Sequence, residues 1–166
     1  MGVQEHKKHA RANLNVGVVT TSDTRTPEND TSGKLISQML AEAGHRVAFY
    51  EIVPDDRERI SRAILENLAS LNAMIITGGT GIAPRDCTVE AVRPLLDKEL
   101  PGFGELFRML SYSEIGSAAF LSRALAGVRQ RTFIAALPGS TAGCRLAMEK
   151  LILPEIGHLA HLLDPQ

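Results

Sequence analysis

Two periodicities alternate along the chain. Short apolar runs bounded by polar turns are followed by segments in which apolar residues return every three or four positions. "LNVGVVTTS", from Leu14 to Ser22, is Val-rich and ends in small polar residues, which predicts a buried strand. The polar stretch "TRTPENDTSG" follows, and then Leu35, Ile36, Met39, Leu40 and Ala43 share one helical face. Asp30, Thr31 and Ser32 are all candidate caps for the start of that helix, and Gly44 suits its C′ position. "HRVAFYEIVPDD" predicts a second strand stopped by Pro54. Asp55 or Asp56 then caps a helix with Ile60, Ala63, Ile64 and Leu68 on its core face. "NAMIITGG" predicts a third strand, and "TVEAVRPLL" a further helix with Thr88 as a candidate cap.

Strands and helices alternating at this spacing predict an α/β fold, with a parallel sheet covered by helices on both faces. Gly102 and Gly104 predict a turn ahead of a helical "ELFRML", within an irregular excursion that includes a strand around Leu121 to Val128. "RTFIAALPGS" predicts a late strand ending in a Pro-Gly-Ser turn. "TAGCRLAMEKLILPEIGHLAHLL" predicts a closing helix bent near Pro154. No repeat or low-complexity segment is present. The organisation expected is a flexible, solvated arm over residues 1–13, which holds the basic cluster "EHKKHARAN", and one domain over residues 14–166.

Composition narrows the function classes. The hydrophobic fraction is 44% and the formal net charge is -1, so a folded core is expected and a broad basic field for nucleic acid is not. The two cysteines, Cys87 and Cys144, lie far apart, outside any disulfide or zinc spacing. The longest apolar runs fall short of the roughly 18 residues that a membrane span needs, and no apolar leader follows Met1. A cytoplasmic protein with free thiols and no membrane partner is expected.

Each unusual polar turn follows the carboxyl end of a predicted strand: "TTSDTR", "PDD", "GGTGIAPRD" and "PGS". In an open α/β sheet that rim is where ligands bind. Gly78, Gly79 and Gly81 can adopt positive φ and bring backbone N–H groups close to an anion, and the helix beginning near Thr88 adds its N-terminal dipole. Arg85 can add a charge-assisted contact to phosphate. Asp86 beside a phosphate would be repelled unless a cation such as Mg2+ intervened, with Asp86 holding the ion or its waters. Simpler roles are also open: a cap or an Arg85 ion pair for Asp86, a helix cap for Asp55, and turn chemistry for Ser22, Asp23, Thr24 and Ser140. Cys87 reads as a small buried residue, since no histidine stands in the neighbouring motifs. The GK[ST] of a P-loop is missing, and Pro84 follows "GTGIA" where a dinucleotide fingerprint needs glycine.

The segments "SDTRTPENDTSG", "VPDD", "ITGGTGIAPRDCTVEA", "LPGFGELFRMLSYSEIG", "SRALAGV" and "ALPGSTAG" together resemble the MoaB/Mog family of molybdenum cofactor biosynthesis proteins, on its MoaB branch, from Leu14 to about His158. The resemblance implies a three-layer α/β/α sandwich with a mostly parallel sheet and a homotrimer or homohexamer. It implies binding of molybdopterin and its adenylylation with ATP and Mg2+, with release of pyrophosphate and transfer of the product to a downstream metal-insertion protein. It assigns Asp55 and Asp86 as catalytic or metal-related carboxylates. Gly78, Gly79, Thr80 and Gly81 become a phosphate-binding turn, and Glu105 and Ser140 line the pocket. A non-catalytic pterin-binding scaffold of the same pathway is the alternative, and intact Asp55 and Asp86 argue against it.

Overall fold

A computed structural model of the protein describes residues 11–164, so the expected arm lies outside the described residues over its first ten positions. The next residue is held in place. The Arg11 guanidinium donates to both carboxylate oxygens of Asp164 at 2.8 and 2.9 Å, and its amide donates to the Gly157 carbonyl at 3.0 Å.

The elements run in chain order as β1 (Asn15–Thr21), α1 (Thr31–Glu42), β2 (Arg46–Val53), α2 (Arg57–Asn67), β3 (Ala73–Thr77), α3 (Thr88–Val92), β4 (Lys98–Glu99), α4 (Pro101–Ile115), β5 (Leu125–Arg129), β6 (Thr132–Leu137), α5 (Thr141–Ala147) and α6 (Ile156–Leu163). They form one six-stranded sheet in the order β2-β1-β3-β6-β5-β4. β1, β2, β3 and β6 are parallel, and β5 is antiparallel to both of its neighbours.

Strand alternation builds two cores. On β3, Ala73 and Ile75 face one core while Met74 and Ile76 face the other, and all four are buried. The first core is covered by α1 through Ile36, Met39 and Leu40, by α4 through Phe107, and by the C-terminal helices through Cys144, Ile156 and Ala160. The second is covered by α2 through Ile60, Ala63 and Ile64, and by α3 through Val89 and Val92. The result is the three-layer α/β/α sandwich. Two-sided burial explains why β3 and β6 read as continuous apolar runs rather than as alternating ones.

Asp30, Asp56 and Ser140 cap α1, α2 and α5, accepting from the amides of Gly33, Arg59 and Gly143. Gly44 takes φ +82° one residue past the Ala43 cap that ends α1. The turn expected at Gly102 and Gly104 is instead the first part of α4, with Pro101 in its opening turn. Gly104 serves close approach: a β-carbon there would stand 2.8 Å from the Ala124 carbonyl oxygen. β4, two exposed residues, carries no sequence signal. The expected strand after α4 begins only at Leu125, because Gly116–Leu121 forms a tight helical turn. The closing helix divides into α5, a wide helical turn over Met148–Ile152, and α6, with Pro154 in the break.

The chain leaves β1 over one face to reach β2, then returns over the other face to β3. That reversal opens a crevice at the carboxyl ends of β1 and β3, the switch point of the sheet.

Candidate active site

A cleft of about 240 Å³ occupies this switch point. The end of β1 contributes Thr20, Thr21, Ser22, Asp23, Thr24 and Arg25, and the end of β3 contributes Thr77, Gly78 and Gly79. Asp55 enters after β2, Arg85 and Asp86 come from the β3–α3 connection, and Gly139 follows β6. Parallel register makes this convergence possible, since Thr20 pairs with Thr77 and Thr77 with Leu137 across three neighbouring strands.

The glycine turn begins with two left-handed residues, Gly78 at φ +102° and Gly79 at φ +65°. A β-carbon on Gly78 would stand 2.3 Å from the Thr21 carbonyl oxygen, and one on Gly79 would stand 2.4 Å from Thr88 Oγ1. Sequence and conformation therefore both demand glycine at these positions. Gly81 differs from expectation: its φ is not positive, and it is glycine for space, because a β-carbon would stand 2.7 Å from Asp86 Oδ2. The Gly78 amide is also engaged, donating to Leu137 O at 3.0 Å, so anion contacts from this turn fall to the residues after it.

Thr88 is not a helix cap. Cys87 holds that position, while the Thr88 amide donates to Gly79 O at 3.1 Å and its hydroxyl meets Thr21 Oγ1 at 3.1 Å. α3 spans only five residues, so the dipole assistance expected there gives way to this tether of the turn.

The carboxylates have distinct surroundings. Asp56 caps α2, which releases Asp55 from the alternative role. The Asp55 amide donates to Asp23 Oδ1 at 3.0 Å, and Asp55 Oδ1 is buried without a hydrogen-bond partner. Burial pushes the Asp55 carboxyl above its ordinary range, the charges of Asp23 and Asp86 add to the effect, and Arg85 opposes it. Asp86 Oδ2 accepts from the Ala83 amide at 2.8 Å, closing the loop that carries Arg85.

Ser22 Oγ accepts from the amides of Thr24 and Arg25 at 3.1 and 3.2 Å, which is turn chemistry at the cleft edge. Thr80 is buried behind the turn. Glu105 and Ser140 lie elsewhere. Glu105 lines a second cavity of about 340 Å³ with Arg93, Arg108, Phe120 and Arg123. Ser140 lines a small apolar cavity of about 140 Å³ with Phe107 and Leu146.

Sequence reading passed over several cleft residues. Asp30, singled out only as a cap, is fully buried and accepts from Thr20 Oγ1 and the Tyr50 hydroxyl, both at 2.6 Å. Burial and that bond push the Tyr50 phenol well above its ordinary range. Thr20, Thr21 and Thr77 sit at strand ends, where a threonine after an apolar run was the available signal. Neither thiol is an activated nucleophile. Burial raises Cys144 to about 11 and also raises Cys87, with Asp55, Asp56 and Glu90 adding to the latter.

Among the described residues no cluster of three or more His, Cys, Asp or Glu side chains is built to hold a metal by itself. Two carboxylates with one bare buried oxygen suit a hard divalent ion that takes its remaining ligands from water and substrate phosphate. Among the same residues, no helix is long and apolar enough to cross a membrane.

Comparison with known proteins agrees with this geometry. Residues 17–158 match the family model described as "Probable molybdopterin binding domain". The molybdenum cofactor biosynthesis protein B of Bacillus subtilis (strain 168) is 54% identical over 162 residues, covering 96% of this chain and 95% of the relative. A crystal structure of a molybdenum cofactor biosynthesis protein B superposes with a TM-score of 0.91 at 52% identity, over 95% of this chain and 99% of that one. The tungsten cofactor synthesizing protein MoaB from Pyrococcus furiosus gives 0.83 at 38% identity, over 93% of this chain and 100% of that one. Sequence, fold and cleft agree: the chain belongs to the MoaB/Mog family of molybdenum cofactor biosynthesis proteins.

Proposed function

We propose that the chain binds molybdopterin and adenylylates it with ATP, in the step of cofactor synthesis that precedes metal insertion. The observation that carries the reading is Asp55 Oδ1, a buried oxygen without a partner in a cleft shared with Asp86. A buried bare carboxylate oxygen is costly, and a bound cation removes the cost.

Asp55 and Asp86 would hold Mg2+, which supplies charge neutralisation of phosphate oxygens when bound. Of the turn, Gly79 lines the cleft and would offer its amide to an incoming phosphate, while Arg25 and Arg85 line the same cleft and would add charge-assisted contacts. A terminal phosphate oxygen of molybdopterin forms a bond to the α-phosphorus of ATP, and the α–β bridging bond breaks as pyrophosphate leaves. The nucleophile is already ionised, so no side-chain base is needed. Positioning and electrostatics supply the rate.

The functional unit is proposed to be a homotrimer or homohexamer. Leu106, Met109, Tyr112 and Ile115 line an exposed face of α4, and Phe120 and Leu121 extend it, with Phe120 at 75% exposure. Exposed large apolar side chains concentrated on one helix and the turn after it suit an interaction surface. The product would pass to a metal-insertion protein. The test is pyrophosphate release on adding molybdopterin to protein, ATP and Mg2+. Release supports the enzyme; tight molybdopterin binding without release favours a scaffold.

A further inference from the structure

The motif "SRALAGV" places Arg123 between α4 and β5, far in sequence from the glycine turn, yet three residues of that turn and one of α3 converge on it. The Arg123 amide donates to Thr80 O at 3.0 Å. Its Nε donates to Gly81 O at 2.7 Å, and one terminal nitrogen donates to Asp86 O at 3.2 Å. The other terminal nitrogen makes a close ion pair with Glu90 on α3. That pairing lowers the Glu90 carboxyl below its ordinary range, as a bond to a fixed cation does.

Gly81 and Asp86 are the two ends of the loop that carries Ile82, Ala83, Pro84 and Arg85. One planar guanidinium therefore grips both ends of the loop and anchors it to α3. Lysine, with a single ammonium, cannot reproduce this fork. The same side chain forms part of the wall of the cavity that holds Glu105, so it stands between the two cavities.

We propose that Arg123 is a positioning residue for adenylyl transfer: by gripping the loop at Gly81 and Asp86 it sets where the Asp86 carboxylate stands in the cleft, and it touches no reacting atom itself. This rests on the function proposed above. Its backbone bond to Thr80 survives any side-chain change, which makes Arg123→Lys a mild test of the fork alone.

The experiment is a double-mutant cycle on turnover with Arg123→Lys and Asp86→Asn, read alongside amide hydrogen exchange of all four proteins. Arg123→Lys is expected to lower kcat about 10- to 100-fold with KM nearly unchanged, the scale of a small misplacement at a reacting centre. In the Asp86→Asn background it is expected to have no further effect, because it acts through Asp86. Exchange is expected to quicken roughly tenfold at Gly81 to Asp86 and to remain unchanged in β1 and α2. Full additivity, or unaltered exchange in the loop, overturns the proposal. Quickened loop exchange in a chain that adenylylates nothing overturns the function and leaves the positioning intact. Should Arg123→Lys fail to fold, Glu90→Gln tests the same grip from its other end, with a smaller loss of kcat expected and an unchanged kcat overturning it.

Discussion

Gly81 and Asp86 pack against each other so closely that a β-carbon on the glycine would stand 2.7 Å from the carboxylate oxygen Oδ2. The glycine is thus a spacer for the carboxylate rather than a conformational hinge. Gly81→Ala is expected to fold with nearly unchanged thermal stability while turnover falls about 10- to 100-fold, because Asp86 is displaced. Gly79→Ala is expected to behave differently. Its φ of +65° and the 2.4 Å approach to Thr88 Oγ1 make the change a stability defect, of about 1–2 kcal/mol from the left-handed backbone alone. Thermal denaturation beside a turnover assay separates the two, and equal effects on stability would contradict the distinction.

Asp55 carries its own pH signature. Burial and the neighbouring charges of Asp23 and Asp86 raise its carboxyl above the ordinary 3.8, so the folded chain holds this proton more tightly than the unfolded chain does. The stabilisation is therefore complete below 3.8 and is lost as pH rises through the higher folded value. In metal-free protein, Asp55→Asn is expected to raise the melting temperature at neutral pH, and the gain is expected to vanish on acidification below that range. Turnover and Mg2+ dependence are expected to fall in the same variant. A variant less stable than wild type at neutral pH would contradict the bare-oxygen account.

The adjacent Asp56 is expected to matter for stability rather than for turnover. It accepts the Arg59 amide at 2.8 Å as the cap of α2. Asp56→Ala is expected to cost about 1 kcal/mol of stability and to leave kcat within a factor of two. A large kcat loss at unchanged stability would exchange the roles assigned to the two aspartates.

The exposed apolar face of α4 makes a prediction about assembly. Light scattering is expected to give three or six times the 17.9 kDa chain mass, and Met109→Glu with Tyr112→Glu is expected to yield smaller species. A monomer for the unaltered protein at micromolar concentration would contradict it.

How legible this was in sequence depended on the kind of signal. The parallel strands, α1, α2 and the candidate caps Asp30 and Asp56 followed from periodicity and local side-chain chemistry, which act over a few residues. The rim shared by Ser22, Asp23, Asp55, Gly78 and Asp86 followed from one rule about strand ends. What failed was set by distant contacts. Gly104 reads as a turn former and is instead a place where α4 meets the Ala124 backbone. Thr88 reads as a cap and instead bonds Thr21, 67 residues away. Asp30 serves as cap and cleft floor at once, and only the second role needs Tyr50 from β2. Arg123 showed only as part of a motif, because its partners in the glycine turn and α3 lie about 33 to 43 positions earlier in the chain.

The most direct test of the central claim is mass-spectrometric detection of adenylylated molybdopterin after incubating the protein with molybdopterin, ATP and Mg2+, beside Asp86→Asn. The wild-type chain is expected to form the adenylylated product with one pyrophosphate released per product. The variant is expected to bind molybdopterin and form product at least about 100-fold more slowly, the scale of losing an electrostatic contact made to the transition state. Equal product from both proteins would remove Asp86 from the chemistry. No product from folded wild-type protein saturated with molybdopterin would contradict the assignment of adenylyl transfer itself.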